Sequence, residues 1–404
     1  MPRPLEGVRI LAVEQMQALP YATQLLARLG ADVVKIESIG GESGRGAQPG
    51  ITDPDGHFVG ATFLRNNHAK RSVTIDLRSD AGRDLVLRLA PRFDVFAENF
   101  RSGAMDRLGL GFEAVRAAQP KVIYTSVSGF GSTPGSPYDG WGAYASIVEA
   151  MSGIYDYMRR PDEAPRANPV GALGDISSAL FATVGILAAL RHRELTGEGQ
   201  LVDVAMFDAT VAMTDIVMNF ASMGQPRQPY PPPFILDSFR ARDGWFVMQV
   251  VREHQFEKLA ELVGHPEWNG DPRFATRAGW GEHLESVIRP AVEAWAAGLT
   301  KLDAVASLHD GGVAAGPCYD SGEVINDRHL ALRNMVIPLH PPDGRDPVLV
   351  PGNPVKLSNV EEEHEQRVPW VGEHTSEVLG KELGLDDAEI AALVERGVIG
   401  ANPG

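Results

Sequence analysis

The segment Gly171-Ala-Leu-Gly-Asp175-Ile-Ser-Ser-Ala-Leu180 sets one acid between a glycine and a long apolar run of helical length. Two readings of Asp175 follow from that placement. An aspartate at a helix start caps it by accepting a hydrogen bond from an early amide, worth ~1 kcal/mol. The same geometry lets the helix dipole keep the carboxylate ionised, with Gly174 leaving open space for an acyl group to approach, and an ionised carboxylate in a dry cleft is a covalent nucleophile. Other chemistries find little in the residue spacing. Gly41-Glu-Ser-Gly-Arg-Gly46 has the glycines of a phosphate loop, but Ala47 and Gln48 follow where Lys and Ser or Thr are required. Glu14-Gln-Met-Gln-Ala-Leu-Pro20 stands after the first apolar run in place of G-x-G-x-x-G, which removes the main support for a nicotinamide dehydrogenase. The histidines lack H-E-x-x-H spacing, no G-x-S-x-G elbow occurs, and Cys318 is the only cysteine. Zinc hydrolysis, serine hydrolysis and a thiolate metal cage are therefore not indicated.

The elements that must position this acid are legible as alternating signals. Apolar runs at 8–13, 31–36, 72–76, 93–96, 122–127 and 201–205 read as strands, and helical spacing occurs at 21–29, 80–89, 112–118 and 176–194. Strands separated by helices predict an α/β fold with a mostly parallel, doubly wound sheet. The helix over 176–194 is expected to be buried on most faces. The proline-rich stretch 225–233 is stiff and cannot continue a helix, which marks a boundary. Beyond it a second unit is predicted, with a strand at 244–250 and helices near 256–263, 283–297 and 302–309. A further boundary falls within 331–342, before a closing helix at 386–395.

At 404 residues, with 44% hydrophobic and 22% charged, the composition is that of a globular chain of more than one unit. A formal charge of -16 repels a polyphosphate backbone and argues against nucleic acid as a partner. The longest apolar stretch, 179–190, contains Thr183 and Gly185 and falls short of the ~20 residues of a membrane span. With one cysteine and no signal-peptide core near the N-terminus, the expectation is a soluble cytoplasmic protein with no membrane partner.

Read in order, several short stretches together resemble the family III CoA-transferases. They are Gln17-Ala-Leu-Pro-Tyr-Ala-Thr23, Leu29-Gly-Ala-Asp-Val-Val-Lys-Ile-Glu37, Lys70-Arg-Ser72, Glu98-Asn-Phe100 through Asp106-Arg-Leu-Gly109, Gly174-Asp175, Thr196-Gly-Glu-Gly-Gln200, Gly316-Pro317 and Gly372-Glu-His-Thr375. That family includes formyl-CoA transferase and a carnitine-metabolising member, and alpha-methylacyl-CoA racemases share its fold. The resemblance spans nearly the whole chain and rests on order and spacing, since no single stretch is specific. It implies a large Rossmann-like domain made from both chain ends, with a smaller α/β domain inserted. The layout expected is 1–224 for the first part of the large domain, 225–335 for the small domain with its linkers, and 336–404 for the return. It also implies an interlocked homodimer whose active sites lie between subunits.

The activity implied is transfer of CoA from a donor acyl-CoA to an acceptor carboxylic acid, with Asp175 as nucleophile, no tightly bound cofactor and no metal. By the same resemblance Gln17 stands near the reacting carbonyl, Met16, Gln17 and Ala18 contact CoA, and Ile75 and Arg78 flank the adenine. Asn99 and Phe100 meet the pantetheine, Arg107 binds phosphate, and Tyr144 matches a tyrosine of the site. Each has an ordinary alternative: a turn and helix start for Met16, a solvated charge for Arg78, an ion pair with Asp106 or Glu113 for Arg107. The sequence also departs from the family. Ser38 replaces a frequent basic residue, so one contact is lost or supplied by Arg45; Ala145 replaces an acid and Glu149 a glutamine. Pro231-Pro-Pro-Phe-Ile-Leu-Asp-Ser238 stands where formyl-CoA transferase has a glycine-rich loop, which counts against oxalate. A racemase needs two bases on opposite faces of the alpha carbon; the histidine it would use is absent at Tyr144, and a phenol of ordinary acidity is a poor base at neutral pH. A non-catalytic CoA-binding homologue is the third alternative.

Overall fold

The computed structural model describes residues 3–160, 162–168, 171–227, 229–362 and 367–400. The chain divides into two compact units, one of residues 1–155, 166–219 and 329–404, the other of 156–165 and 220–328. The proline-rich stretch 225–233 belongs to the second, and its Gln228 lies outside the described residues.

The first unit is built on a six-stranded parallel sheet in the spatial order Lys70–Thr74, Asp32–Glu37, Arg9–Val13, Val95–Glu98, Ile123–Ser128, Gln200–Ala205. Counted along the chain this order is 3-2-1-4-5-6, that of a doubly wound sheet reversing between its first and fourth strands. Alternate residues feed opposite cores, as a strand's two-residue period requires. Leu11, Val13, Val34 and Ile36 join one core with Leu85, Val86 and Val115, whereas Ile10, Ala12 and Val33 join the other with Leu19, Leu26 and Ile186. Val378, Leu379, Ile390 and Ile399 from the C-terminal segment pack into the first of these cores, so both chain ends contribute to one unit. Several strands run a residue or two beyond the predicted apolar runs, because buried polar residues such as Glu37, Glu98 and Ser128 continue the ladders. Ile75 and Asp76 leave the third strand instead, and Ile75 bridges to Ile399.

The helix Leu173–Thr196 starts before the predicted 176 and ends at Gly197, whose φ of 78° suits a residue without Cβ. At 24 residues it is, by length and composition, long and apolar enough to cross a membrane, which corrects the length argument drawn from 179–190. It is also less covered than expected. Ala179, Ala182, Ile186 and Ala189 are buried in the core, while Leu180, Phe181, Val184, Leu187 and Leu195 are exposed.

A short hairpin, Gly50–Thr52 with Phe58–Gly60, leads into the helix Ala61–Asn66 and packs with Phe63, Ile337, Val350 and Trp370. In the second unit, Gly244–Val250 is the centre of an antiparallel sheet between Ile235–Ala241 and Ala314–Pro317. Phe239 sits opposite Phe246, and helices Glu253–Leu262, Arg289–Ala296 and Lys301–Asp310 close a core that includes Phe256, Trp268 and Trp280.

Candidate active site

In a doubly wound sheet the ligand crevice lies beyond the carboxyl ends of the strands, where the strand order reverses. Here that point opens into a cavity of about 320 Å³ lined by residues 15–18, 99–101, 127–129 and 141–144 with Thr62, Asp175 and Met206. The turn after the first strand is held in an unusual shape. Met16 takes φ 62°, an uncommon conformation for a side chain of its bulk, and its amide donates to Glu42 Oε2 at 3.0 Å. Asn99 clamps the neighbouring residue from across the reversal point: its Oδ1 accepts from Gln15 N and its Nδ2 donates to Gln15 O, each at 2.9 Å.

Asp175 enters the cavity from the first turn of the long helix. It lies inside the helix rather than before it and makes no capping bond; Ala172, with φ 36°, holds the preceding position. The capping reading is thereby corrected. So is the open space at Gly174, because a Cβ there would stand 2.7 Å from Val148 Cγ2 and 3.0 Å from Ala145 Cα. The glycine lets the helix Ala145–Met151 approach the long helix, and that approach delivers Glu149. Its Oε1 accepts the Gly174 amide at 3.1 Å, and its Oε2 accepts the Tyr155 hydroxyl. Burial, and then the Glu149 carboxylate, push Asp175 up to about 6 against the pull of Arg65. Desolvation thus outweighs the dipole expected to lower it, yet about nine-tenths of the side chain is still ionised at pH 7. Among the described residues Asp175 accepts no side-chain hydrogen bond. A basic carboxylate without a partner, open to a cavity, has the properties of a nucleophile.

Met16, Gln17, Ala18, Asn99, Phe100, Tyr144 and Asp175 line this one cavity, and Ile75, Arg78 and Arg107 do not. Gln17 precedes the helix Ala18–Arg28, and its Nε2 is buried without a hydrogen-bond partner among the described residues. Tyr144 precedes Ala145–Met151 and is 73% exposed. Asn99 lines the cavity and also clamps the Gln15 main chain through both ends of its side chain. A side-chain role for Ile75 at an adenine is corrected, because that side chain is fully buried in the core. Arg78 and Arg107 are exposed. The ion pair weighed for Arg107 is not formed, as Glu113 instead meets Arg116 at 2.6 Å.

Arg45 cannot replace a basic residue at Ser38. It is buried, paired with Glu37 through two 2.7 Å hydrogen bonds, and stacked 3.6 Å over the Phe63 ring. Sequence reasoning missed Arg101, among the described residues the one cation lining the cavity. Its guanidinium lies over Gly142, where a Cβ would come within 3.1 Å of Nη2. It directly follows Phe100, so the signal was present in the stretch Asn99-Phe-Arg101. Nearby Glu98 holds the Phe100 amide at 2.8 Å. Burial pushes Glu98 up to about 7, Asp106 and Asp203 adding to it, against hydrogen bonds from Ser126 and Phe100.

Comparison with known proteins agrees with this geometry. The family model described as CoA-transferase family III matches residues 5–375. The chain is 34% identical over 383 residues to a succinyl-CoA:mesaconate CoA-transferase of Haloarcula hispanica, covering 93% of this chain and 95% of that one. It is 34% identical over 421 residues to a formyl-CoA:oxalate CoA-transferase of Streptomyces avermitilis, covering 99% and 100%. Among solved structures, a CaiB/BaiF family protein from Brucella suis superposes with a TM-score of 0.83 at 31% identity, over 95% of this chain and 100% of that one.

Proposed function

The chain belongs to CoA-transferase family III, and from that premise we propose that it moves CoA from a donor acyl-CoA to an acceptor carboxylic acid by way of Asp175. The observation that carries the reading is that carboxylate: partly buried, raised to about 6, and free of side-chain hydrogen bonds where the cavity opens. In the first step a carboxylate oxygen attacks the thioester carbon, and CoA thiolate leaves an acyl-aspartyl anhydride. The thiolate then attacks the aspartyl carbon, releasing the donor acid and leaving an aspartyl-CoA thioester. The acceptor carboxylate attacks that carbon, again expelling thiolate, which finally takes the acceptor's acyl carbon and frees Asp175. Every intermediate is an activated acyl group, so the energy of the thioester is conserved and no nucleotide triphosphate is consumed.

Gln17 offers a donor to the oxygen on which charge builds, because its Nε2 lacks a partner. The turn at Met16 and the start of Ala18–Arg28 form the cavity wall along which the CoA chain would lie, with Arg101 as its cation. Racemisation requires a second base, and the cavity lining contains no histidine, which favours transfer. The acceptor class is small carboxylic acids, by analogy with relatives named for mesaconate and oxalate. The exposed apolar face of Leu173–Thr196 supports a second copy of the chain as its cover, in the interlocked homodimer that the resemblance implies. Native mass spectrometry showing an active monomer would remove that part.

The test of the reaction is intact-mass analysis after mixing with a panel of acyl-CoA donors. A CoA-sized adduct mapping to Asp175 and released by hydroxylamine is expected, with Asp175→Ala losing the adduct and turnover while still binding CoA. Turnover near the wild-type rate in that variant would exclude the covalent route.

A further inference from the structure

Glu149 is an acid where hydrogen bonding alone asks only for an amide. It is 3% exposed, and its two carboxylate oxygens accept the Gly174 amide and the Tyr155 hydroxyl. A glutamine would satisfy both groups, with Oε1 taking the amide and Nε2 donating to the phenol oxygen. Burying a carboxylate without a cation is costly, and no ion pair engages Glu149 among the described residues. The Glu149 carboxyl group lies beside the residue adjoining Gly174, which is Asp175. We propose that Glu149 is a positioning residue for the nucleophile: through the Gly174 amide it anchors the first turn of the long helix and sets a second carboxyl group beside Asp175.

Charged and titratable groups face Asp175 from several elements. Glu149 reaches it from Ala145–Met151 and Arg65 from Ala61–Asn66, and Tyr144 and Arg101 stand in the cavity wall. Arg65 opposes Glu149, which leaves burial and the second carboxylate to set the basicity of the first. The contact depends on Gly174, whose missing side chain lets Val148 and Ala145 close on the helix.

This role rests on the transfer reading, and its test separates the two. Carboxyl-carbon NMR of protein labelled at aspartate, with Asp175→Asn to assign the resonance, reads the titration without substrate. The wild-type midpoint is expected near 6. In Glu149→Gln it should fall by about one pH unit, and the acid limb of adduct formation should move down with it. In Glu149→Asp, which keeps the charge, the midpoint should remain well above that of a free aspartate. An unmoved midpoint in the glutamine variant overturns the role, as does a fall to the free value in the aspartate variant, which also serves if the glutamine protein does not fold. An absent adduct in wild-type protein together with a shifted titration would instead sink the transfer reading and leave this one standing.

Discussion

Glu14, directly after strand Arg9–Val13, and Asp175, in the first turn of the long helix, belong to the same unit, yet burial has left them in opposite states. Glu14 is fully enclosed, and desolvation alone would push it up. Lys70 at 2.7 Å, Lys35 at 3.6 Å and the Thr23 hydroxyl at 2.8 Å outweigh that and hold it below the usual carboxylate range. Asp175 has a second carboxylate for its neighbour and ends near 6. The first acid belongs to a lattice that also joins Lys35 to Glu42, and Glu42 to the Met16 amide, so its charge fixes the shape of the binding turn. The second is left short of partners, and so remains available to react. Of these two buried acids, the one saturated with donors is structural and the one short of them is left open to the cavity.

The largest effect that tests this contrast is at Lys70. Its amine is fully buried, reaches Glu14, the Pro20 carbonyl and Asn67, and is drawn down to about 8 by burial against the pull of Glu14. Lys70→Met strands Glu14 with only the more distant Lys35, which is shared with Glu42, and is expected to cost about 3–5 kcal/mol. The urea midpoint at pH 7 measures it. A loss below about 1 kcal/mol would mean the lattice is replaceable and the contrast overstated.

Asp175→Asn should shift stability the other way. The folded value of about 6 lies above the ordinary 3.8, so the fold favours the protonated form. The stability this contributes is complete below pH 3.8 and is lost as pH rises through 6. Asparagine removes the liability, so the variant should be about 3 kcal/mol more stable than wild type at pH 8 and within about 0.6 kcal/mol of it near pH 4. Urea midpoints at the two pH values decide the matter. An equal gain at both would assign the effect to something other than charge. The same variant should lose all adduct formation, which makes this a place where the site sacrifices stability for chemistry.

How much of this was legible in the sequence follows the same division. Apolar runs predicted the strands, because core burial dictates them locally, and the helices at 80–89 and 112–118 match Asp80–Leu89 and Phe112–Ala118 residue for residue. Asp175 stood out through its place between Gly174 and an apolar run. Its basicity did not, since that comes first from burial and then from Glu149, 26 positions earlier in the chain, both set only by helix packing. Arg45 and Arg101 were exchanged in importance for the same reason: whether an arginine is spent on Glu37 or faces a cavity depends on residues distant in sequence. Asn99 was marked as a pantetheine contact and its clamp was not foreseen, because the main-chain atoms of Gln15 that it holds have no side-chain signature.

Gly174→Ala probes how Asp175 acquired its neighbour. Alanine is the better helix former by about 1 kcal/mol, but its Cβ meets the stiff Val148 side chain and the Ala145 main chain inside van der Waals distance. Overpacking of that kind costs about 1–3 kcal/mol, so a net loss of about 1 kcal/mol is expected. The displaced helix should carry Glu149 off the Gly174 amide, and Asp175 should then titrate lower. A variant that is more stable than wild type, with an unchanged Asp175 midpoint, would show the two helices to be loosely coupled.

The smallest effect is expected at Arg101, and it asks whether exposure, like missing partners, marks a group kept for ligand. Arg101 is exposed and lines the cavity, and among the described residues no acid pairs with it. Arg101→Ala should therefore leave the urea midpoint within about 0.5 kcal/mol of wild type. Its cost should fall on CoA, whose phosphates are the charged groups that a guanidinium fork fits. A fall in affinity of about tenfold is expected at low ionic strength, shrinking as salt screens a contact at the cavity mouth. Calorimetric titration of CoA at two salt concentrations reads both quantities. Dephospho-CoA in the same experiment locates the contact: if it binds the variant and the wild type equally well, the guanidinium serves the 3′-phosphate, whereas an undiminished difference assigns it to the pyrophosphate. Unchanged affinity for both ligands would place the phosphates elsewhere and return Arg107 and Arg78 to consideration.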